Sequence, residues 1–236
     1  MAKDRVVGII PARGNSKGIP RKNLKLLGDK PLLAWTIEVA LSAMCVDSVW
    51  VTSEDREILH LAEEYKALTI TRPPELSLDQ VQLDDVYLNA LWQMEYHHKV
   101  IPEVVILLQP TSPFRTAEDI DNAHRMFSGE NTVLSVCLDG KFHWGITEEN
   151  DVVPVWHNPL RRLGRQWIPD IDKLYQENGA VGVVDAKRFT LMERTTRFGP
   201  YTLYVMPPER SIDLDTMQDW EEAERMLEWN TIHDPA

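Results

Sequence analysis

Short β-branched runs that stop at polar loops, each followed by a segment of helical periodicity, constrain this chain more than any other feature of it. Residues 5–11 (RVVGIIP) end at a proline and a glycine-containing polar stretch, the pattern of a buried strand feeding a loop. Apolar residues then recur at helical spacing behind Pro31, which predicts a first helix over 31–44. Further along, 47–52 (DSVWVT) predicts a strand, 54–66 an amphipathic helix, 81–97 another helix and 103–108 (EVVILL) a strongly apolar strand. Residues 117–127 read as helix, 132–138 as strand and 217–230 as the final helix. Strands alternating with helices in this way predict a mostly parallel sheet covered on both faces, a doubly wound α/β fold. In such sheets ligands bind beyond the carboxyl ends of the strands. Three polar loops fall there: 11–23, the stretch after Ile70, and 109–116.

The 236 residues suit one sizeable domain, 1–236, and do not require several cores. The longest apolar runs are only a few residues, so neither a secretory core nor a membrane span is expected, and the protein is read as soluble and cytoplasmic. Cys45 and Cys137 are far apart with no CxxC partner, which argues against a disulfide framework or a zinc site; both read as buried small apolar residues. A net charge of −12 argues against a nucleic-acid partner. Cations nevertheless concentrate near the start, where Arg13, Lys17, Arg21, Lys22 and Lys25 share one short segment, and a basic pocket on an acidic body suits a small anionic ligand. Residues 139–176 break the alternation, with Trp144, Trp156, Trp167 and the Arg161, Arg162, Arg165 cluster. Aromatics beside arginines there predict an inserted arm that meets a partner subunit.

The loop PARGNSKGIPRKN at 11–23 combines two glycines, a serine and several cations. Glycines let the backbone present successive N–H groups to an anion while Arg and Lys neutralise it, so the loop reads as a phosphate cradle. It is neither GxxxxGK[ST] nor GxGxxG. Asp213 and Asp215 stand two apart, and in an extended segment alternate side chains share one side, so their carboxylates can converge on a cation. A DxD just before a helix is equally an N-capping arrangement. Asp219 reads as structural, and Lys25 and Lys30 as solvated surface charges.

That loop resembles the signature of the CMP-sialic acid synthetase (acylneuraminate cytidylyltransferase) family. Other segments resemble family motifs in order: RPPEL at 72–76, QPTSPFRT at 109–116, NGA at 178–180 and SIDLD at 211–215. The resemblance implies a Rossmann-like nucleotidyltransferase fold with an inserted dimerisation arm at 139–176. It implies an enzyme that transfers CMP from CTP to the anomeric hydroxyl of an acidic 3-deoxy-nonulosonic sugar, with Mg²⁺ or Mn²⁺, as a homodimer. It places Arg13, Ser16, Lys17 and Lys22 on the triphosphate, Asn23 and Arg72 on the nucleotide, and Gln109, Arg165 and Asn178 on the sugar. Asp213 and Asp215 would hold the metal, and Arg13, Lys22 and Asp213 would carry the chemistry. Mg²⁺ uses few carboxylates and completes its shell with water and phosphates, which suits this pair.

The chain departs from the family in three places. After RPPEL, where Ser or Thr usually approaches cytosine, it has DQVQL at 79–83, which leaves Gln82 or backbone groups for the base. Beyond NGA, where an aromatic is usual, it has Gly182. The lysine expected in the arm has only Lys141 as its nearest candidate. These departures fall around the sugar, so legionaminate, pseudaminate, Kdn or KDO remain alternative substrates. A regulatory nucleotide-binding module without turnover is the non-enzymatic alternative.

Overall fold

The structure is a computed structural model and describes residues 5–141, 143–155, 173–191 and 199–233. The elements run β1 (Val6–Pro11), β2 (Leu26–Leu27), β3 (Lys30–Pro31), α1 (Leu32–Ser42), β4 (Ser48–Ser53), α2 (Arg56–Glu64), β5 (Leu68–Thr71), α3 (Leu83–Gln93) and β6 (Val104–Leu107). They continue as α4 (Ala117–Arg125), β7 (Thr132–Asp139), β8 (His143–Ile146), β9 (Val152–Val155), β10 (Leu174–Asp185), α5 (Ala186–Leu191), β11 (Tyr201–Met206) and α6 (Met217–His233). Among the described residues seven strands form one sheet in the order β11-β7-β10-β6-β1-β4-β5. All its pairings are parallel except those of β10, which runs antiparallel to β6 and to β7. The mostly parallel, doubly wound sheet expected from the alternation is therefore present.

Strand alternation sorts side chains between two cores. Ile10, Val49, Val51 and Ile106 face Leu33 and Ile37 of α1, Ile58 of α2 and Ile120 of α4. Val7, Ile9, Trp50 and Leu107 face Tyr87 and Leu91 of α3 and Phe189 of α5. A third cluster gathers Ile19, Leu32, Leu214 and the fully buried Trp220. It fastens the loop after β1 to the segment before α6, and the residues it joins flank the expected cations and aspartates.

Several expectations change. The helix expected over 81–97 is α3 followed by a five-residue π-turn, Met94–His98. The NGA segment lies inside β10, where the pairing with β7 shifts register between Glu177 and Gly182. Gly179 there has φ +64°, a conformation that favours glycine and lets the strand kink without ending. Lys25 and Lys30 are not simply solvated; each ammonium lies over an indole, Trp220 at 4.0 Å and Trp35 at 4.1 Å. Both cysteines are free and half-buried, and burial pushes the Cys45 thiol up to about 12. Of the expected arm, β8 and β9 form an antiparallel hairpin at the end of β7, while Arg161, Arg162, Arg165, Trp156 and Trp167 lie outside the described residues. No helix among the described residues is long and apolar enough to cross a membrane.

Candidate active site

The parallel strands all deliver their following loops to one edge of the sheet, and there the loops after β1, β4, β5, β6 and β11 meet. Glu54, just past β4, is the knot. Its carboxylate accepts the Gly14 N–H at 2.8 Å, the Ser77 hydroxyl at 2.6 Å and an Arg72 N–H at 3.0 Å. Burial acts to raise the Glu54 carboxyl, but those donors together hold it below its ordinary value. Arg72, almost fully buried, also donates to the Ser77 hydroxyl at 2.9 Å. Asn23 is buried and donates its amide to the Arg13 carbonyl at 2.9 Å, which fixes the curvature of the 11–23 loop.

Lys22 leaves that loop toward the segment before α6. Its ammonium donates to the Leu214 carbonyl at 2.6 Å and to Asp215 Oδ1 at 3.2 Å. Gly18 permits this approach, since a β-carbon there would overlap the Asp215 carbonyl oxygen. Asp213 is exposed to solvent, and of the two aspartates it is Asp215 that lines a cavity. Desolvation by the surrounding protein and then the neighbouring Asp215 charge raise the Asp213 carboxyl, against the Thr111 hydroxyl and the Lys22 charge. Asp219 is structural: its carboxylate accepts from the N–H and hydroxyl of Thr216 and from the Asp215 N–H, and its own N–H returns a bond to Thr216, a capping box at the start of α6.

These loops enclose a cavity of about 300 Å³ whose walls include Arg13, Ser16, Lys22, Asn23, Arg72 and Asp215. Lys17 stands at its mouth, paired with Asp79. A second chamber of about 480 Å³ lies alongside, with Gln82, Tyr87, Glu177, Gly179 and Gly182 among its walls. Gln109 borders both. Its N–H donates to the Gly179 carbonyl at 3.3 Å, and a β-carbon on Gly179 would press on the Gln109 amide at 3.0 Å. Asn178, 3 % exposed, is turned inward: its Oδ1 accepts from Ser135 at 2.6 Å and its Nδ2 donates to Ser211 at 3.0 Å. It shapes the chamber through the kink beside it. Gln82 stands in the second chamber and not in the cation-lined one. Arg165 lies outside the described residues.

Reasoning from sequence missed Glu54, Ser77, Asp79 and Arg115. Arg115 is fully enclosed and donates to the Gln109 carbonyl and, at 2.9 Å, to the Thr36 hydroxyl. Burial drives its guanidinium down to about 9. Glu54 carried no signal beyond its place after a strand, although that place was itself the clue. Among the described residues no group of three or more His, Cys, Asp or Glu side chains could cage a metal alone. The arrangement can neutralise a polyphosphate in one chamber and present a second molecule from the other.

Residues 7–230 match the family model described as cytidylyltransferase. The chain is 31% identical to N-acylneuraminate cytidylyltransferase A of Danio rerio over 94% of its own length and 50% of that protein's. It thus spans about half the length of that relative. It is 30% identical to the CMP-N,N'-diacetyllegionaminic acid synthase of Legionella pneumophila, over 96% of this chain and 97% of that protein. The fold is similar to a solved CMP:2-keto-3-deoxy-manno-octonic acid synthetase complexed with CTP, with a TM-score of 0.69 and 15% identity over 96% of this chain and 99% of that one.

Proposed function

The chain belongs to the cytidylyltransferase family, and from that premise we propose that it transfers CMP from CTP to the anomeric hydroxyl of an acidic 3-deoxy-nonulosonic sugar of the N-acetylneuraminate type. One observation carries this reading: a cation-lined cavity and a second chamber lie side by side and share the wall residues Leu83 and Gln109, of which Gln109 is the polar one. A triphosphate in the first and a sugar hydroxyl in the second would meet there. The hydroxyl oxygen attacks the α-phosphorus, the bond to the β-phosphate oxygen breaks, and pyrophosphate and a proton leave.

The residues contribute alignment and charge. Arg13, Ser16 and Lys17 take the phosphates. Lys22, held by Leu214 and Asp215, opposes the charge that grows on the departing pyrophosphate. Arg72 and Asn23 hold the nucleotide end, and Gln82, Gln109, Asn178 and Arg165 serve the base, the sugar and the kink between them. Holding both substrates side by side removes much of the entropy cost of their encounter. The donor set fits Mg²⁺ or Mn²⁺, because Asp215 lines the cation-lined cavity with the Asp213 carboxylate close enough to feel its charge, and such an ion takes few carboxylates and completes its shell with phosphate oxygens and water. Asp213 and Asp215 would hold it, and when bound it supplies Lewis-acid charge neutralisation at the phosphates. The enzyme is read as cytoplasmic and as a homodimer, the second reading supported by the exposed apolar residues Ile146 and Val152 of the β8–β9 hairpin.

The test is a panel in which CTP is offered with N-acetylneuraminate, Kdn, legionaminate, pseudaminate and KDO, and CMP-sugar is detected directly. Formation of a CMP-nonulosonate from CTP, and not from the other nucleoside triphosphates, is expected; CTP binding with no product on any sugar would sink the reading in favour of a regulatory module. Legionaminate is a specific second substrate, favoured by the end-to-end match to the Legionella pneumophila protein and by Gly182, which adds no side chain to the chamber wall.

A further inference from the structure

The cations of the cavity divide into two kinds. Lys22 and Arg72 are buried and fastened to groups inside the protein, the first to Leu214 and Asp215, the second to Glu54 and Ser77. Arg13 is partly exposed and Lys17 largely so, and both are held by one carboxylate. Asp79 Oδ1 accepts from Arg13 at 2.8 Å, and Asp79 Oδ2 meets the Lys17 ammonium at 2.8 Å. Arg13 and Lys17 ride on the loop after β1, whereas Asp79 lies on the segment after β5, so this carboxylate ties two walls of the cavity together across its mouth.

A carboxylate offering two oxygens to two separate cations does what one phosphate group would do at the same place. The pairing with Lys17 and then Arg13 also holds the Asp79 carboxyl below its ordinary value, so it is an anion at neutral pH. Exposed ion pairs of this kind are individually weak. A polyphosphate, with several charges and further contacts to Lys22 behind, outcompetes them.

We propose that Asp79 is a positioning residue that holds Arg13 and Lys17 until nucleotide arrives, and that the triphosphate replaces it, so that binding is an exchange of one anion for another. This rests on the reading of the cavity as a triphosphate site. Exchange removes the direct tie between the segment after β5 and the loop after β1, leaving them joined through Glu54, and the internal anion keeps these cations from capturing smaller ions.

Calorimetric titration with CTP and, separately, with inorganic tripolyphosphate tests the exchange, using the native chain, Asp79→Asn and Asp79→Glu over a range of KCl concentrations. Asp79→Asn removes the competitor and is expected to lower Kd for tripolyphosphate about three- to fivefold. Its affinity should also fall more steeply with salt than the native chain's, because its bare cations shed more counterions on binding. Asp79→Glu should behave like the native chain. A carboxylate that merely braced the site would give the opposite sign, so unchanged or weaker tripolyphosphate binding by Asp79→Asn would overturn the proposal. Tighter tripolyphosphate binding together with no CTP binding by the native chain supports the exchange and removes the cytidine reading instead.

Discussion

Lys22 concentrates the site's chemistry in one side chain. Its stem is buried, its ammonium is bonded to a carbonyl and a carboxylate of the segment before α6, and its free side borders the cavity. Lys22→Met keeps much of the stem and removes the charge, so kcat is expected to fall about a hundredfold or more in a steady-state pyrophosphate-release assay. Retention of most of that rate would remove Lys22 from the chemistry. Gly18 tests the same contact from the backbone. Gly18→Ala should force the 11–23 loop away from Asp215, lowering kcat/KM at least tenfold with an unchanged circular dichroism spectrum. Glu54 makes a pH-dependent claim. Its carboxyl is depressed in the folded protein, so the stabilisation it gives is fully present above its ordinary value of 4.5 and is lost as pH falls further through the folded value. Glu54→Gln should therefore flatten the acid limb of a stability profile measured by urea unfolding; an unaltered limb would assign acid sensitivity to other carboxylates. At this scale the cavity-lining cations and Asp215 were legible as neighbours, because charge in a loop after a strand has a chemical meaning by itself. Glu54 and Asp79 were not, because their roles exist only through partners about 20 to 65 positions away in the chain.

The same division holds for whole elements. β1, β4 and β6 were legible because each is buried on both faces and reads as a continuous apolar run. β5 is a short edge strand with a half-exposed pattern, and β11 alternates exposed and shielded residues, so neither announces itself as strongly. β10 was hidden for a different reason. Its first half carries exposed polar residues, its middle kinks at Gly179, and only its last residues form a buried run. The kink is also what brings Asn178 under Ser211 and Gly179 against Gln109, so the least readable strand lines the second chamber and braces the Gln109 wall. α6 offers a test at this scale. Thr216 and Asp219 cap it while the same carboxylate holds the Asp215 N–H. Asp219→Ala is expected to cost about 1 kcal/mol of stability, measured by urea unfolding. It should also raise the metal concentration needed for half-maximal rate, since the segment bearing Asp213 and Asp215 loses its anchor. A stability loss with no shift in metal dependence would confine Asp219 to the helix.

The molecule as a whole combines an acidic body, net −12, with a small cationic cleft. That contrast repels polyanions broadly while leaving one focused site for a small one. The irregular segment 139–176 marks where the single-chain account ends. Its described part, the β8–β9 hairpin, sets Ile146 directly opposite Val152, and these two are 73% and 65% exposed. An apolar cross-strand pair held out in water has a simple explanation in a second copy of the chain, and a two-fold pair is the commonest closed assembly. The pair can be replaced without undoing the hairpin: Ile146→Lys with Val152→Glu substitutes an opposite-charge cross-strand pair, which supports the same register. Sedimentation velocity should show a dimer for the native chain and a shift toward monomer for the double variant. If the arm also completes the neighbour's sugar chamber, the KM for the sugar should rise with dissociation while binding of CTP alone is retained. A native chain that sediments as a monomer at full activity would remove the dimer. A double variant that stays dimeric would move the interface away from this hairpin.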